Sequence, residues 1–136
     1  MSGFISFNNE KLKHKVMIVE DESLTLTSLT QILDSYFENI YYAQDGDDGL
    51  EMYYREKPDI IFTDIVMPKM NGIEMLQQIQ SCNDHNPLII VFSAFDTTVS
   101  DRELEDIGIY KKMVKPFNLK ELETLVDDIK SLDLQN

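Results

Sequence analysis

Apolar residues along this chain come in two rhythms that alternate with each other. Val16-Met17-Ile18-Val19, Ile60-Ile61-Phe62 and Leu88-Ile89-Ile90-Val91-Phe92 are short unbroken apolar runs. Each is rich in β-formers, and each is apolar on both faces, as strands covered on both sides must be. Ile40-Tyr41-Tyr42-Ala43 and the less apolar stretch from Tyr110 to Val114 are two further strand candidates. Between the runs the apolar positions recur at helical spacing. Leu24, Ile32, Leu33, Tyr36 and Phe37 fit one face of a helix over 23–37. Leu50, Met52, Tyr53 and Tyr54 mark a second helix, which should stop before Lys57-Pro58, because a residue preceding proline is disfavoured in the helical region. Ile73, Met75, Leu76 and Ile79 mark a third, after Asn71-Gly72. The stretch 98–106 is short and mostly polar, the weakest of the helices. Leu119, Leu122, Leu125, Val126 and Ile129 mark the last, with Asn118 as its N-cap and Glu121 three residues on.

Five strands alternating with five helices predict a parallel α/β sheet, and right-handed crossovers would cover both its faces with helices. Residues 1–14 show no clear period and are read as an N-terminal tail. The folded unit is expected over 15–132, and 133–136 as a C-terminal tail or the start of a linker. No internal repeat or low-complexity tract interrupts the pattern.

Composition narrows the function classes. Twelve Lys and Arg against 25 Asp and Glu leave a formal charge of −13, which argues against direct binding to nucleic acid or to an anionic membrane. The single cysteine, Cys82, excludes an internal disulfide, and no Cys/His cluster has zinc spacing. No apolar run approaches the roughly 20 residues of a membrane span, and the opening residues do not read as a signal peptide. The expected compartment is the cytoplasm.

In a parallel sheet the carboxyl ends of the strands gather along one edge, where ligands bind. The first strand would deliver Glu20 and Asp21 there, the third Asp64, the fourth Ser93 and the fifth Lys115. Clustered carboxylates repel one another unless a cation or proton intervenes. Oxygen-only ligation without His or Cys suits a hard ion, Mg²⁺ being the usual choice beside phosphate. An ionised Asp can attack phosphorus to give an aspartyl phosphate, while a cation, a lysine and a hydroxyl neutralise the equatorial oxygens.

These residues sit in motifs that resemble those of response-regulator receiver domains of two-component signalling, the chemotaxis-regulator-like kind. Val16 to Glu22 is similar to the acidic first strand of that family. The segment from Asp64 to Gly72, with its Met67-Pro68, resembles the phosphoacceptor loop. Val91-Phe92-Ser93-Ala94 resembles the switch-hydroxyl motif, and Val114-Lys115-Pro116-Phe117 the lysine-proline motif. The likeness extends over roughly 15–132. It implies a flavodoxin-like doubly wound (βα)5 fold with strand order 2-1-3-4-5. It also implies Asp64 as phosphoacceptor, Ser93 and Lys115 on the phosphoryl group, and a cis Lys115–Pro116 peptide. Mg²⁺ would be held by Asp21, Asp64, the Val66 carbonyl and, through water, Glu20. The phosphoryl donor would be a sensor histidine kinase or histidine phosphotransfer protein, and the reader a downstream effector domain or target protein. Such a domain catalyses only its own phosphorylation and dephosphorylation.

Two departures from the family pattern bear on how phosphorylation would be read. The position three before the lysine, commonly Tyr or Phe, is Lys112, with Tyr110 two residues earlier as the substitute that strand alternation offers. The last helix lacks the arginine expected of the winged-helix transcription-factor subgroup, which leaves that subgroup's dimer interface without support. Val66 and Phe95, two positions after Asp64 and Ser93, are apolar where the family tunes its dephosphorylation rate, so slow self-dephosphorylation is expected.

Rival readings fit the residues less well. A haloacid-dehalogenase-like phosphatase needs a second Asp where Val66 stands. A flavin carrier would want a phosphate-cradling loop where Glu20-Asp21-Glu22 stands. A degenerate receiver acting only as an interaction module is opposed by the intact acidic, Ser and Lys set. His14 and His85 are expected to be exposed bystanders, and Asp45-Gly46-Asp47-Asp48-Gly49 a turn into a helix rather than a calcium loop.

Overall fold

The computed structural model describes residues 10–82, 85–94 and 99–132. Its five strands are β1 (Leu12–Val19), β2 (Phe37–Ala43), β3 (Ile60–Asp64), β4 (Leu88–Ala94) and β5 (Lys111–Lys115). The helices α1 (Ser23–Asp34), α2 (Gly46–Glu56), α3 (Gly72–Cys82), α4 (Asp101–Ile107) and α5 (Leu119–Lys130) alternate with them. All pairings are parallel, in the order β2-β1-β3-β4-β5. This is the flavodoxin-like arrangement expected from the sequence.

Side-chain alternation divides the central strands between two cores. Val16, Ile18, Ile60, Phe62, Ile90 and Phe92 face Leu26, Leu29 and Leu33 of α1 and Leu122, Leu125, Val126 and Ile129 of α5. Met17, Val19, Ile61, Ile89 and Val91 face Tyr53, Met75, Leu76, Ile79, Leu104 and Ile107 from α2, α3 and α4. Burial on both faces explains why these strands read as unbroken apolar runs rather than as alternations. Each large side chain so buried contributes on the order of 2 kcal/mol.

The helix boundaries follow their capping chemistry. Asn118 and Glu121 form the expected capping box, and Ser100 and Glu103 form another at the start of α4. Asp45 accepts from the Asp48 amide at 2.8 Å, so the Asp-Gly-Asp-Asp-Gly stretch is indeed a turn into a helix. Lys57 closes α2 in the left-handed region, just before Pro58.

Several boundaries differ from the sequence reading. Helix α1 ends at Asp34 rather than at Phe37. The Ser35 and Tyr36 amides turn back to Ile32 and Leu33, and Phe37 opens β2, fully buried and paired with Leu12. Its apolar side chain fits either pattern, and the strand wins because β1 itself starts early. That strand begins at Leu12, within the stretch read as a tail, with Lys15 to Val19 in continuous register against β2. Helix α4 begins at Asp101, and β5 lies one residue later than expected. His14 and His85 are half-buried rather than exposed; His85 Nε2 lies 2.8 Å from the Pro58 carbonyl oxygen. Phe95, Thr98 and residues 1–9 and 133–136 lie outside the described residues. No helix among the described residues is long and apolar enough to cross a membrane.

Candidate functional site

The carboxyl ends of the strands bring the predicted residues together. Glu20 follows the last residue of β1 and is fully buried, its amide bonded to the Ala43 carbonyl at 3.0 Å. Asp21 next to it is exposed. Asp64 ends β3 at 6% exposure, and Ser93 lies in β4 at 2%. The register sets Asp64 beside Phe92 and Ser93 beside Val114, one residue before Lys115.

Lys115 is the polar centre of the cluster. Its Nζ donates to Asp64 Oδ2 at 2.8 Å and to Glu20 Oε1 at 3.0 Å, and it stands 5.4 Å from the Phe92 ring centroid. A cis peptide joins it to Pro116, as expected. The second oxygen of Asp64 accepts from the Ile65 amide at 2.7 Å and the Val66 amide at 3.3 Å. The second oxygen of Glu20 accepts from the Glu22 amide at 3.0 Å. Burial raises the Glu20 carboxyl to about 7, despite the hydrogen bonds from Glu22 and Lys115 that favour its charged form. Burial by itself would lower Lys115, but the hydrogen bonds to Asp64 and Glu20 outweigh it, and the net shift is upward.

Glu20, Asp21 and Asp64 each offer a carboxylate oxygen within 4.8 Å of the others. Three oxygen donors this close, with no nitrogen or sulfur among them, suit a hard divalent cation. One face of the cluster is thus acidic and open through Asp21, while the other is closed by the lysine.

The loop from β3 to α3 is shaped by a close backbone approach. A Cβ on Gly72 would lie 2.1 Å from the Asp64 carbonyl oxygen, so only glycine lets α3 begin this near the end of β3. The Gly72 amide donates to the Ile65 carbonyl at 2.7 Å, closing the loop. Val66 stands 63% exposed above it.

Sequence reasoning did not anticipate a second set of contacts on this loop. Lys69 adopts a left-handed φ of 67° and pairs with Asp45 at 3.4 Å. The sequence signal there was the Asp45-to-Gly49 turn into a helix, which does not reveal a partner 24 residues away. Lys112 is exposed and pairs outward with Asp101 at 4.0 Å, while Tyr110 is 40% exposed. Neither residue is buried as a packed aromatic switch would be.

An open apolar groove of about 590 Å³ runs between α1 and α5 and reaches Lys115 and Pro116 at one end. Leu24, Leu29, Ile32, Phe117, Leu119 and Leu122 line it.

Known proteins are similar to this chain in sequence and fold. The chain is 36% identical over 118 residues to the probable transcriptional regulator ycf27 of Guillardia theta, covering 84% of this chain and 44% of the relative. It is 35% identical over 109 residues to the response regulator MprA of Mycobacterium leprae, covering 79% and 47%. The chain therefore spans about half the length of the curated relatives it matches. Among solved structures, the N-terminal domain of an uncharacterized protein from Wolinella succinogenes superposes with a TM-score of 0.79 at 32% identity, covering 86% of this chain and 94% of that one. A chain of the CheX–CheY–BeF3–Mg²⁺ complex from Borrelia burgdorferi gives 0.77 at 30% identity, covering 88% of this chain and 90% of that one. A family model described as the response regulator receiver domain matches residues 16–127, and with the sheet order and the acidic, lysine-closed pocket it establishes that the chain belongs to the response regulator receiver domain family.

Proposed function

We infer that the chain is a phosphorylation switch whose phosphoacceptor is Asp64, charged by a sensor histidine kinase or a histidine phosphotransfer protein. The observation that carries this reading is the placement of Asp64. One of its oxygens is held by two backbone amides and the other by Lys115, beside a carboxylate pair able to take a cation. In the transfer, an Asp64 oxygen bonds to phosphorus as the P–N bond to the donor imidazole breaks. The bonding pair returns to the ring nitrogen. Lys115 neutralises charge on the equatorial oxygens, and Ser93 donates its hydroxyl to one of them. Asp21, Asp64 and the Val66 carbonyl would hold Mg²⁺, with Glu20 acting through water. Bound there, the ion supplies electrostatic stabilisation of the transferred group.

The apolar groove beside Lys115 is where we place the donor, since it leads from exposed Leu24 and Leu119 to the phosphoryl site. The phosphorylated state is read by an effector domain or target protein rather than by nucleic acid or membrane, given the net charge of −13. The switching unit is the span 12–132, since β1 already begins at Leu12, and its compartment is the cytoplasm. The site residues themselves contribute the only catalysis, toward phosphorylation and its reversal.

Incubation with acetyl phosphate and Mg²⁺, followed by intact mass, tests the reading. One phosphoryl group should be gained by the wild-type chain and none by Asp64→Ala. No gain by the wild type would favour a degenerate receiver acting only as an interaction module.

A further inference from the structure

The phosphoacceptor loop is held from its far side by an element that touches neither phosphate nor metal. Lys69 lies between Val66 and Gly72, and its φ of 67° is a conformation that residues other than Gly, Asn and Asp rarely adopt. Such a residue persists where its surroundings over-determine it. Two contacts from the start of α2 provide that constraint. Lys69 Nζ pairs with Asp45 Oδ2 at 3.4 Å, and a Cβ on Gly46 would lie 2.2 Å from the Met70 carbonyl oxygen. The α2 terminus and the loop are thus in backbone contact at residue 70 and ion-paired at residue 69.

The Asp45 end of this pair is pre-organised. Its side chain is only 13% exposed, its backbone is extended, and its other oxygen is occupied by the Asp48 amide at 2.8 Å. The Asp48 hydrogen bond, with help from Lys69, holds the Asp45 carboxyl below its ordinary value. Lys69 by contrast is 64% exposed, so the pair contributes little to global stability. Its consequence is local. The segment between the clamp and the end of β3 carries the Val66 carbonyl and the two amides that fix Asp64.

We propose that Asp45 and Lys69 are positioning residues, clamping the phosphoacceptor loop so that the Val66 carbonyl and the Asp64 carboxylate meet a divalent cation together. This rests on the phosphorylation reading above. It predicts an effect on cation binding that is separate from folding.

The test uses the full chain and Mg²⁺ itself as the probe, with Asp45→Asn, Lys69→Gln, the double variant and Lys69→Arg. Asp45→Asn keeps the cap acceptor of α2, and Lys69→Arg keeps the charge. Readouts are the Mg²⁺ dissociation constant, followed through the Ile65 and Val66 amide signals, the thermal midpoint, and acetyl phosphate labelling over a range of Mg²⁺. Each single neutralising variant should weaken Mg²⁺ binding about three- to fivefold with its midpoint nearly unchanged. The double should be no worse than the poorer single, since the two act as one unit. Lys69→Arg should bind within about twofold of wild type, as expected when the charge is retained. Labelling should recover at saturating Mg²⁺. Unchanged affinity in both singles, additive losses in the double, or losses that merely track a falling midpoint would overturn the clamp. If the wild type neither binds Mg²⁺ nor accepts a phosphoryl group, the functional reading falls, and the clamp with it; wild-type labelling with unaffected variants sinks the clamp alone.

Discussion

The two ends of β5 use lysine in opposite ways. At its carboxyl end Lys115 is mostly buried and bonded to two buried carboxylates from β1 and β3. Three residues earlier Lys112 is exposed and reaches Asp101, itself 90% exposed, at only 4.0 Å. The first pair closes a pocket in which both carboxylates are buried. The second is a solvated contact on the edge strand, where screening and side-chain entropy leave little net gain. Residue type alone does not separate a site lysine from a surface lysine; desolvation does. The same contrast separates the proposed phosphoryl site from Lys112, a solvated lysine that stands where the resemblance leads one to expect an aromatic residue.

The largest expected difference follows from removing each ammonium. Without Mg²⁺, Lys115→Gln should cost stability at pH 8, since it strips two buried carboxylates of their counter-charge. The loss should be less than the roughly 3–5 kcal/mol of breaking a fully buried pair, because the Lys115 side chain is 25% exposed. The cost should be smaller at pH 5.5, where Glu20 takes up a proton. Denaturant melts at both pH values check this, and equal losses would contradict the buried-pair account.

Glu20 sharpens the point. A carboxyl whose folded value is raised to about 7 binds its proton more tightly when folded. Its neutral form therefore favours the fold below the ordinary carboxylate value, and that advantage is lost as pH rises from there through about 7. Cation binding opposes the proton, so Mg²⁺ affinity should rise as the pH is raised from 5.5 through about 7 and then level off. Calorimetric titration at several pH values reads this directly. A flat profile would mean that Glu20 is not part of the cation's surroundings.

A smaller effect concerns the mouth of the pocket. Val66 is exposed but has no group to orient an attacking water. Val66→Asn should speed loss of the aspartyl phosphate several-fold, below the roughly 10²–10⁴-fold of a full general acid or base, because an amide orients water without taking its proton. An unchanged decay rate sinks that assignment. The smallest effect belongs to the outer pair: Lys112→Ala and Asp101→Ala should each change stability by less than about 0.5 kcal/mol. A loss of 2 kcal/mol or more, on the scale of a desolvated pair, would erase the distinction between the two lysines.

Much of this arrangement was legible in the sequence, for a physical reason. Strands β1, β3 and β4 lie between others and are buried on both faces, so each announces itself as an apolar run ending in a polar residue. The positions of Glu20, Asp64 and Ser93 follow from those ends, whereas Lys115 ends the edge strand β5. Edge strands carry weaker signals. Phe37 matched the helical period of α1 as well as the start of β2, and only pairing with Leu12 decides between them. What joins distant segments was also hidden. The Lys115–Glu20 bond spans 95 positions, and the Lys69–Asp45 pair depends on a left-handed residue that local propensity disfavours. Sequence periodicity reports burial, whereas charge pairing is a matter of tertiary geometry.

The central claim is that Asp64, fixed by two amides and Lys115, accepts the phosphoryl group. Borohydride reduces an acyl phosphate to the alcohol, so treating the labelled protein and sequencing its peptides by mass spectrometry marks the acceptor. Homoserine is expected at position 64 and at neither position 21 nor position 20. Homoserine at one of those acids instead, or label that survives Asp64→Ala, would contradict that claim.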